Sequence, residues 1–178
     1  MLLDTQLILD NNVSLAIAAP GQPSAFTIDL MGVGVGQAPP NYFGVQDAVF
    51  GQDIGIGDGM SPPVLVVVVG TGFTTATGAT LRVQFQESVD SGAPSYTPSA
   101  WKTVLQTDDL PASALTAGTK IAEMTIPPRY PNAAMPRFLR LNYLLNVAGS
   151  SFTAGTIAFA GINTGRDDDT RAIYPAAY

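Results

Sequence analysis

RFLRLNYLLNV, residues 137–147, decides how the rest of the chain is read. Leu139, Leu141, Tyr143 and Leu145 alternate with Arg140, Asn142 and Leu144. A period of two puts successive side chains on opposite faces, so this is a strand with one face in a core. Leu144 and Val147 make its far end apolar on both faces, as in a strand inside a sandwich. Pro136 stops it starting earlier, since proline has no N–H for a ladder.

Other runs of similar length need a partner of this kind. Residues 25–30 (AFTIDL) read as a strand with Phe26, Ile28 and Leu30 on one face. Residues 64–69 (VLVVVV) are β-branched at every position but Leu65, which with their length predicts a strand buried on both faces. Residues 80–89 alternate, with Leu81, Val83 and Phe85 inward and Arg82, Gln84 and Gln86 outward. Further strands are predicted over 101–107, 120–126 and 153–162, with one helical turn over 111–117. Asn11-Asn12 predicts a turn before a short strand over 13–19, and Pro20-Gly21 a break.

About eight strands with turns between them and almost no helix predict an all-β fold. The expected form is a jelly-roll type antiparallel β-sandwich with long loops and extended termini. One domain is expected over residues 1–162, with an arm over 1–20 and a long loop over 31–63, followed by a tail over 163–178. The 31–63 loop is rich in Gly and Pro but carries Tyr42, Phe43, Val45, Val49, Phe50, Ile54 and Ile56. Disordered linkers are poor in such residues, so the loop is expected to pack on its own domain or on a neighbour.

Charged residues are only 12% of the 178, about half the usual share, which suits a surface that spends its life against partners. There is no Cys and no His, which removes disulfides, thiolate and imidazole catalysis and nearly all zinc, copper or haem ligation. The opening MLLDTQLIL carries Asp4 and no basic residue, unlike a secretory signal. The run 64–69 is far too short to span a membrane.

The net charge of −6 is unevenly placed. Residues 1–81 hold six acids and no Lys or Arg, whereas no acid separates Glu123 from Arg166 and Arg129, Arg137 and Arg140 lie between them. Scattered surface charge is the plain reading. The sharper one has acidic loops of one subunit meeting arginines of its neighbour. Three arginines do not supply the broad basic face of a nucleic-acid binder.

Motifs for chemistry fail on context. GVGVG (32–36) is followed by Pro39-Pro40 where a phosphate loop needs a helix N-terminus. Asp53 with Asp58, and Asp167–Asp169, lack the spacing of a calcium loop. Glu87, Asp90 and Glu123 give no sign of the facing carboxylates a glycosidase needs. Hydroxyls are plentiful, but without a His or a plausibly buried Lys there is no base to activate one. No enzyme activity and no cofactor are expected. Trp101, Tyr96 and Tyr143 form a candidate aromatic sugar platform, the basis of an alternative reading as a carbohydrate-binding module for host attachment.

Taken together in order, MLLDTQLIL, FTIDL, GQDIGIGDG running into VLVVVV, TLRVQFQES, LPASALTAGTKI, PPRY with RFLRLNY, and FTAGTIAFAG form one series. The series resembles the small jelly-roll capsid cement (decoration) proteins of tailed bacteriophages, over most of residues 1–162. The resemblance implies homotrimers on the outer capsid surface, over three-fold and quasi-three-fold junctions. There they clamp neighbouring copies of the major capsid protein, with no enzymatic activity; from the charge pattern and the short apolar runs, neither nucleic acid nor membrane is expected as a partner. The sequence departs from that pattern in a longer excursion at about residues 33–52 and in the tail after Asn163. Candidate protein contacts are therefore Leu3 and Asp4 in the arm, and Tyr42, Phe43 and Phe50 in the excursion. Arg129 and Arg137 are added from the acid-free stretch, and Arg166, Arg171, Tyr174 and Tyr178 from the tail.

Overall fold

The computed structural model describes residues 7–30, 63–92, 97–127 and 136–163. Ten strands run through them: β1 (Ile8–Ser14), β2 (Gly21–Pro23), β3 (Ile28–Asp29), β4 (Val64–Val69), β5 (Thr80–Asp90), β6 (Pro98–Gln106), β7 (Leu110–Pro111), β8 (Lys120–Thr125), β9 (Phe138–Leu145) and β10 (Thr156–Asn163). They form two antiparallel sheets. One has the order β1-β10-β4-β8; the other has β2-β9-β5-β6, with β3 also on β9 and β7 on β5. Successive strands alternate between the sheets except at β2–β3, which both pair with β9, and at the β5–β6–β7 hairpin, so the chain wraps around its own core as a jelly roll does. The all-β, jelly-roll-like sandwich expected from the alternation is what forms. Counting β2 with β3 and β6 with β7 as interrupted strands gives the expected eight.

The core lies between the two inner faces. Leu139, Leu141, Tyr143 and Leu145 of β9 all turn inward and are buried, as do Leu81, Val83 and Phe85 of the neighbouring β5. From the other sheet Leu65, Val67, Val69, Ile157, Ala160 and Ile162 meet them. Each such side chain removed from water contributes about 1.5–3 kcal/mol before entropy is counted.

Three expectations are corrected. In β4 only Leu65, Val67 and Val69 are buried; Val64, Val66 and Val68 are half-buried. The β-branched run marked a strand in a sheet, but a two-layer sandwich covers only one of its faces. Asn11-Asn12 makes no turn: β1 continues through both, with Asn12 absorbing a positive φ of 52° inside the ladder to β10. Residues 25–30 pair as a strand only at Ile28–Asp29; Phe26 stands 38% exposed, and its N–H bonds to the Leu9 carbonyl of the opposite sheet. The break at Pro20-Gly21 is real. Gly21 has φ +120°, and a Cβ there would sit 1.9 Å from the Tyr143 carbonyl oxygen. The predicted turn after Pro111 is a short 3-10 helix, Ala112–Ala114.

The two ends of the sandwich differ. At one end four cross-sheet connections pass, over residues 15–20, 70–79, 112–119 and 146–155. They are tied to one another: Phe73 packs edge-on against Phe152 at 5.0 Å, and its N–H bonds to Leu115. Thr74 bridges Ala154, Ala18 bridges Ser151, and the Leu15 N–H bonds to Gly155. At the other end Val64 lies between Asn163 and Thr125, and the Ile126 N–H bonds to Pro63. In the second sheet the same end carries Asp29, Ser88, Pro98 and Phe138. The Phe26–Leu9 bond joins the two halves of that end. Every stretch outside the described residues, including both chain ends, is flanked by residues at this second end.

Candidate interaction surfaces

Arg137 organises the second end. Its guanidinium holds Asp29 bidentately, Nε to Oδ1 at 2.9 Å and Nη2 to Oδ2 at 2.8 Å, and Nη1 donates to Asp90 Oδ2. The same residue uses its backbone on both sides: its N–H bonds to Ser88 and its carbonyl accepts from Leu30. The end of β3, the end of β5 and the start of β9 are thereby joined at one side chain. Arg137 and Asp29 are 2% and 3% exposed at the side chain, and Asp90 25%. The guanidinium also lies 4.9 Å from the Phe138 ring centroid. Its pKa is raised, first by the Asp29 hydrogen bonds, so it stays charged. The Asp90 carboxyl is held below its usual range, first by the Gly92 N–H and then by Arg137.

This revises one sequence expectation. Arg137 is not a surface contact for a neighbour; the acid-rich first half and the arginine-bearing second half meet inside one protomer. Leu3, Asp4, Tyr42, Phe43, Phe50, Arg129, Arg166, Arg171, Tyr174 and Tyr178 lie outside the described residues, as do the 31–62 part of the long loop and the tail from 164.

The outer face of the six-stranded sheet is polar and closely bonded. Asn142 Nδ2 donates to Gln84 Oε1 at 2.9 Å, and Gln84 Nε2 to Gln106 Oε1 at 3.2 Å. Gln86 Nε2 reaches Gln84 and Thr103, and Gln86 Oε1 accepts from Arg140 Nε at 2.9 Å. This ladder of amides crosses β9, β5 and β6. Gln86 faces outward yet is only 8% exposed, because its neighbours cover it. Arg140 lies over Trp101, 4.0 Å from the ring centroid. Nearer the tied end, Arg82 holds Asp109 bidentately, and Asn146 donates to the same carboxylate. Satisfied networks of this kind fix rotamers, so the face is preorganised.

The outer face of the four-stranded sheet is different. Val64, Val66, Val68 and Phe159 form a half-buried apolar stripe, rimmed by Asn11, Lys120, Glu123 and Thr125.

The candidate sugar platform does not assemble from its named residues. Tyr143 is in the core, its hydroxyl donating to Asp10 Oδ2 at 2.6 Å. One face of Trp101 carries Arg140, and Tyr96 lies outside the described residues. Asp10 itself is fully buried between the sheets, its other oxygen accepting from the Ala25 N–H at 2.7 Å. Burial pushes its carboxyl up despite both hydrogen bonds, and burial with the nearby Asp10 pushes the Tyr143 hydroxyl well up. Neither the Asp10–Tyr143 bond nor the Asp29–Arg137 pair was readable from the sequence. Their partners are 133 and 108 residues apart. The one available signal was a lone acid at an alternating position of an apolar strand, as in residues 26–30.

Residues 36–161 match the family model described as Bbp16. That is more than half of the chain, and the chain belongs to the Bbp16 family, a phage-related one. No curated protein matches it.

Proposed function

Starting from that membership, we propose that this chain is a structural protein of the phage particle. In this reading it is a cement (decoration) protein that sits on the outer surface of the head as a homotrimer. It bridges neighbouring copies of the major capsid protein and stiffens the shell. It carries no catalytic step, binds no cofactor, and has neither nucleic acid nor membrane as a partner.

One observation supports this most strongly. A Bbp16-family sequence is folded as a jelly-roll-like sandwich, and the described residues that flank 31–62, 93–96 and 128–135, together with Leu7 and Asn163, all lie at one end. A block whose described strands are interrupted at one end only suits an assembly component better than a catalyst. Bridging works through area: many weak contacts, repeated by the symmetry of the shell, add to strong binding without any single strong site. The low charge content agrees with a surface destined for partners.

The test is sedimentation with purified phage heads stripped of the protein. The proposal expects saturable binding to assembled heads, little binding to unassembled capsid subunits, and a higher disruption temperature for decorated heads. Light scattering on a sizing column should give three times the 18.5 kDa protomer mass, free or after release from heads. Heads that neither bind the protein nor gain heat resistance from it would contradict the proposal.

A further inference from the structure

Arg140 differs from the other cations. Among the described residues Arg82 has Asp109, Arg137 has Asp29 and Asp90, Lys120 has Glu123, and Lys102 stands exposed to water. Arg140 is half-buried on the outer face of the six-stranded sheet and has no carboxylate partner there. Its guanidinium is oriented all the same: Trp101 lies under it at 4.0 Å and Gln86 takes its Nε–H at 2.9 Å. Gln86 is itself fixed by Gln84 and Thr103. The side chain is thus locked with its Nη1–Nη2 edge unused. That edge is a fork whose two parallel N–H groups match the two oxygens of a carboxylate.

The groups around it on all three strands are neutral: Asn142 on its own strand, Gln84 and Gln86 on β5, Trp101, Thr103 and Gln106 on β6. Glu87 is on β5 opposite Leu139, a buried residue, and so on the core side of the sheet. Burial lowers the Arg140 pKa, which marks a cation that has lost water without gaining a counter-charge. A carboxylate from outside would restore the balance.

We propose that Arg140, seated on Trp101 and Gln86, forms a carboxylate-binding subsite, and that its occupant is an acidic side chain of the shell protein. This rests on the proposed function for the source of the carboxylate, and on the geometry alone for the subsite. A protein occupant fits the rest of the face. In the amide ladder Asn142 donates through Nδ2 and Gln106 accepts through Oε1, and among the described residues Asn142 Oδ1 and Gln106 Nε2 have no partner, so an acceptor and a donor remain for peptide groups beside the acid. A sugar stacking on Trp101 would find one ring face taken by Arg140. The subsite lies in the half of the sheet nearest Arg137, three residues along β9, so docking there leaves the tied end of the sandwich free.

Two measurements test this. In the first, the full-length protein is titrated with sodium acetate against sodium chloride at equal ionic strength, and the arginine side-chain N–H signals are followed by NMR. The Arg140 signal should move saturably with acetate, while Arg82 and Arg137, already paired, stay still. An Arg140 signal that moves no more than that of Arg82 overturns the subsite. In the second, Arg140→Gln and Arg140→Lys, each checked for an unchanged unfolding transition, are sedimented with stripped heads. Arg140→Gln should weaken binding at least about tenfold, and Arg140→Lys should recover only part, because it keeps the charge and loses the fork. Wild type and both variants binding heads equally overturns the shell-protein occupant while leaving the proposed function intact. Wild type failing to bind heads contradicts the proposed function, and the acetate titration still decides the subsite. A uronic acid binding far tighter than acetate would give the subsite a glycan occupant and overturn the protein one.

Discussion

The two ends of this sandwich are held by different physics. At one end four connections close over Phe73 and Phe152 with a mesh of backbone hydrogen bonds, so no single group carries the joint. At the other, three connections converge on one guanidinium with two carboxylates. The first kind of joint is insensitive to pH and salt and yields only to changes of shape. The second is strong while complete and fails when one charge is taken away.

The largest expected effect breaks this comparison at its weakest point. Arg137→Leu leaves Asp29 buried without its cation and should cost about 3–5 kcal/mol in urea unfolding. Adding Asp29→Leu to it should recover much of the loss, since the uncompensated charge, not the missing bond, dominates. A loss under about 1 kcal/mol in the single variant would mean that Arg137 does not hold that end together.

Next comes a change at the tied end. Gly155 has φ +144°, and a Cβ there would lie 2.5 Å from the Phe73 ring. Gly155→Ala should cost about 2 kcal/mol through strain and a displaced ring. The cost should be the same at pH 4 and pH 7, because no titrating group is involved.

Acid should separate the two ends further. Asp90 has a folded pKa below its unfolded value, so its contribution is present above about 3.8 and is lost as pH falls through the lower folded value. Asp10 runs the opposite way. Its pKa is raised, so its charged form opposes folding at neutral pH and that penalty fades on acidification. Asp10→Asn keeps an acceptor for Ala25 and offers Tyr143 a donor. It should stabilise the fold at pH 7 by less than about 1.5 kcal/mol, with the gain vanishing near pH 3. Loss of stability at pH 7 would show that the charge itself is needed. Smallest of all, Lys120→Ala removes an exposed i,i+3 pair with Glu123 and should change stability by less than about 0.5 kcal/mol.

What could be read from the sequence follows from the range of each signal. Alternation within β5 and β9 is local, so those strands and their inward residues were legible, as were the positions of β8 and β10. The order of the strands, the mesh at the tied end and the triad at Arg137 join residues far apart in the chain, and a period of two says nothing about them. Arg137 illustrates the limit. Its place in an acid-free stretch invited a partner in a neighbouring subunit, but the missing acids were supplied by Asp29 and Asp90 of the same chain. Arg140 has the same local signature and the opposite environment. Only the tertiary placement beside it of Trp101 and Gln86 and, among the described residues, of no acid distinguishes the two. For β4 the composition overstated burial, because valine suits any strand and does not count the layers above it.

The most direct test of the account is hydrogen exchange on the protein, free and bound to stripped heads. Slowed exchange is expected at the second end, around Leu30, Gly92 and Ile126, and on the β9 and β6 backbone around Arg140 and Trp101. The tied end, over residues 70–79, 112–119 and 146–155, should exchange as it does in the free protein. Slowed exchange confined to the tied end would put the docking side opposite Arg137 and Arg140, and would contradict this reading.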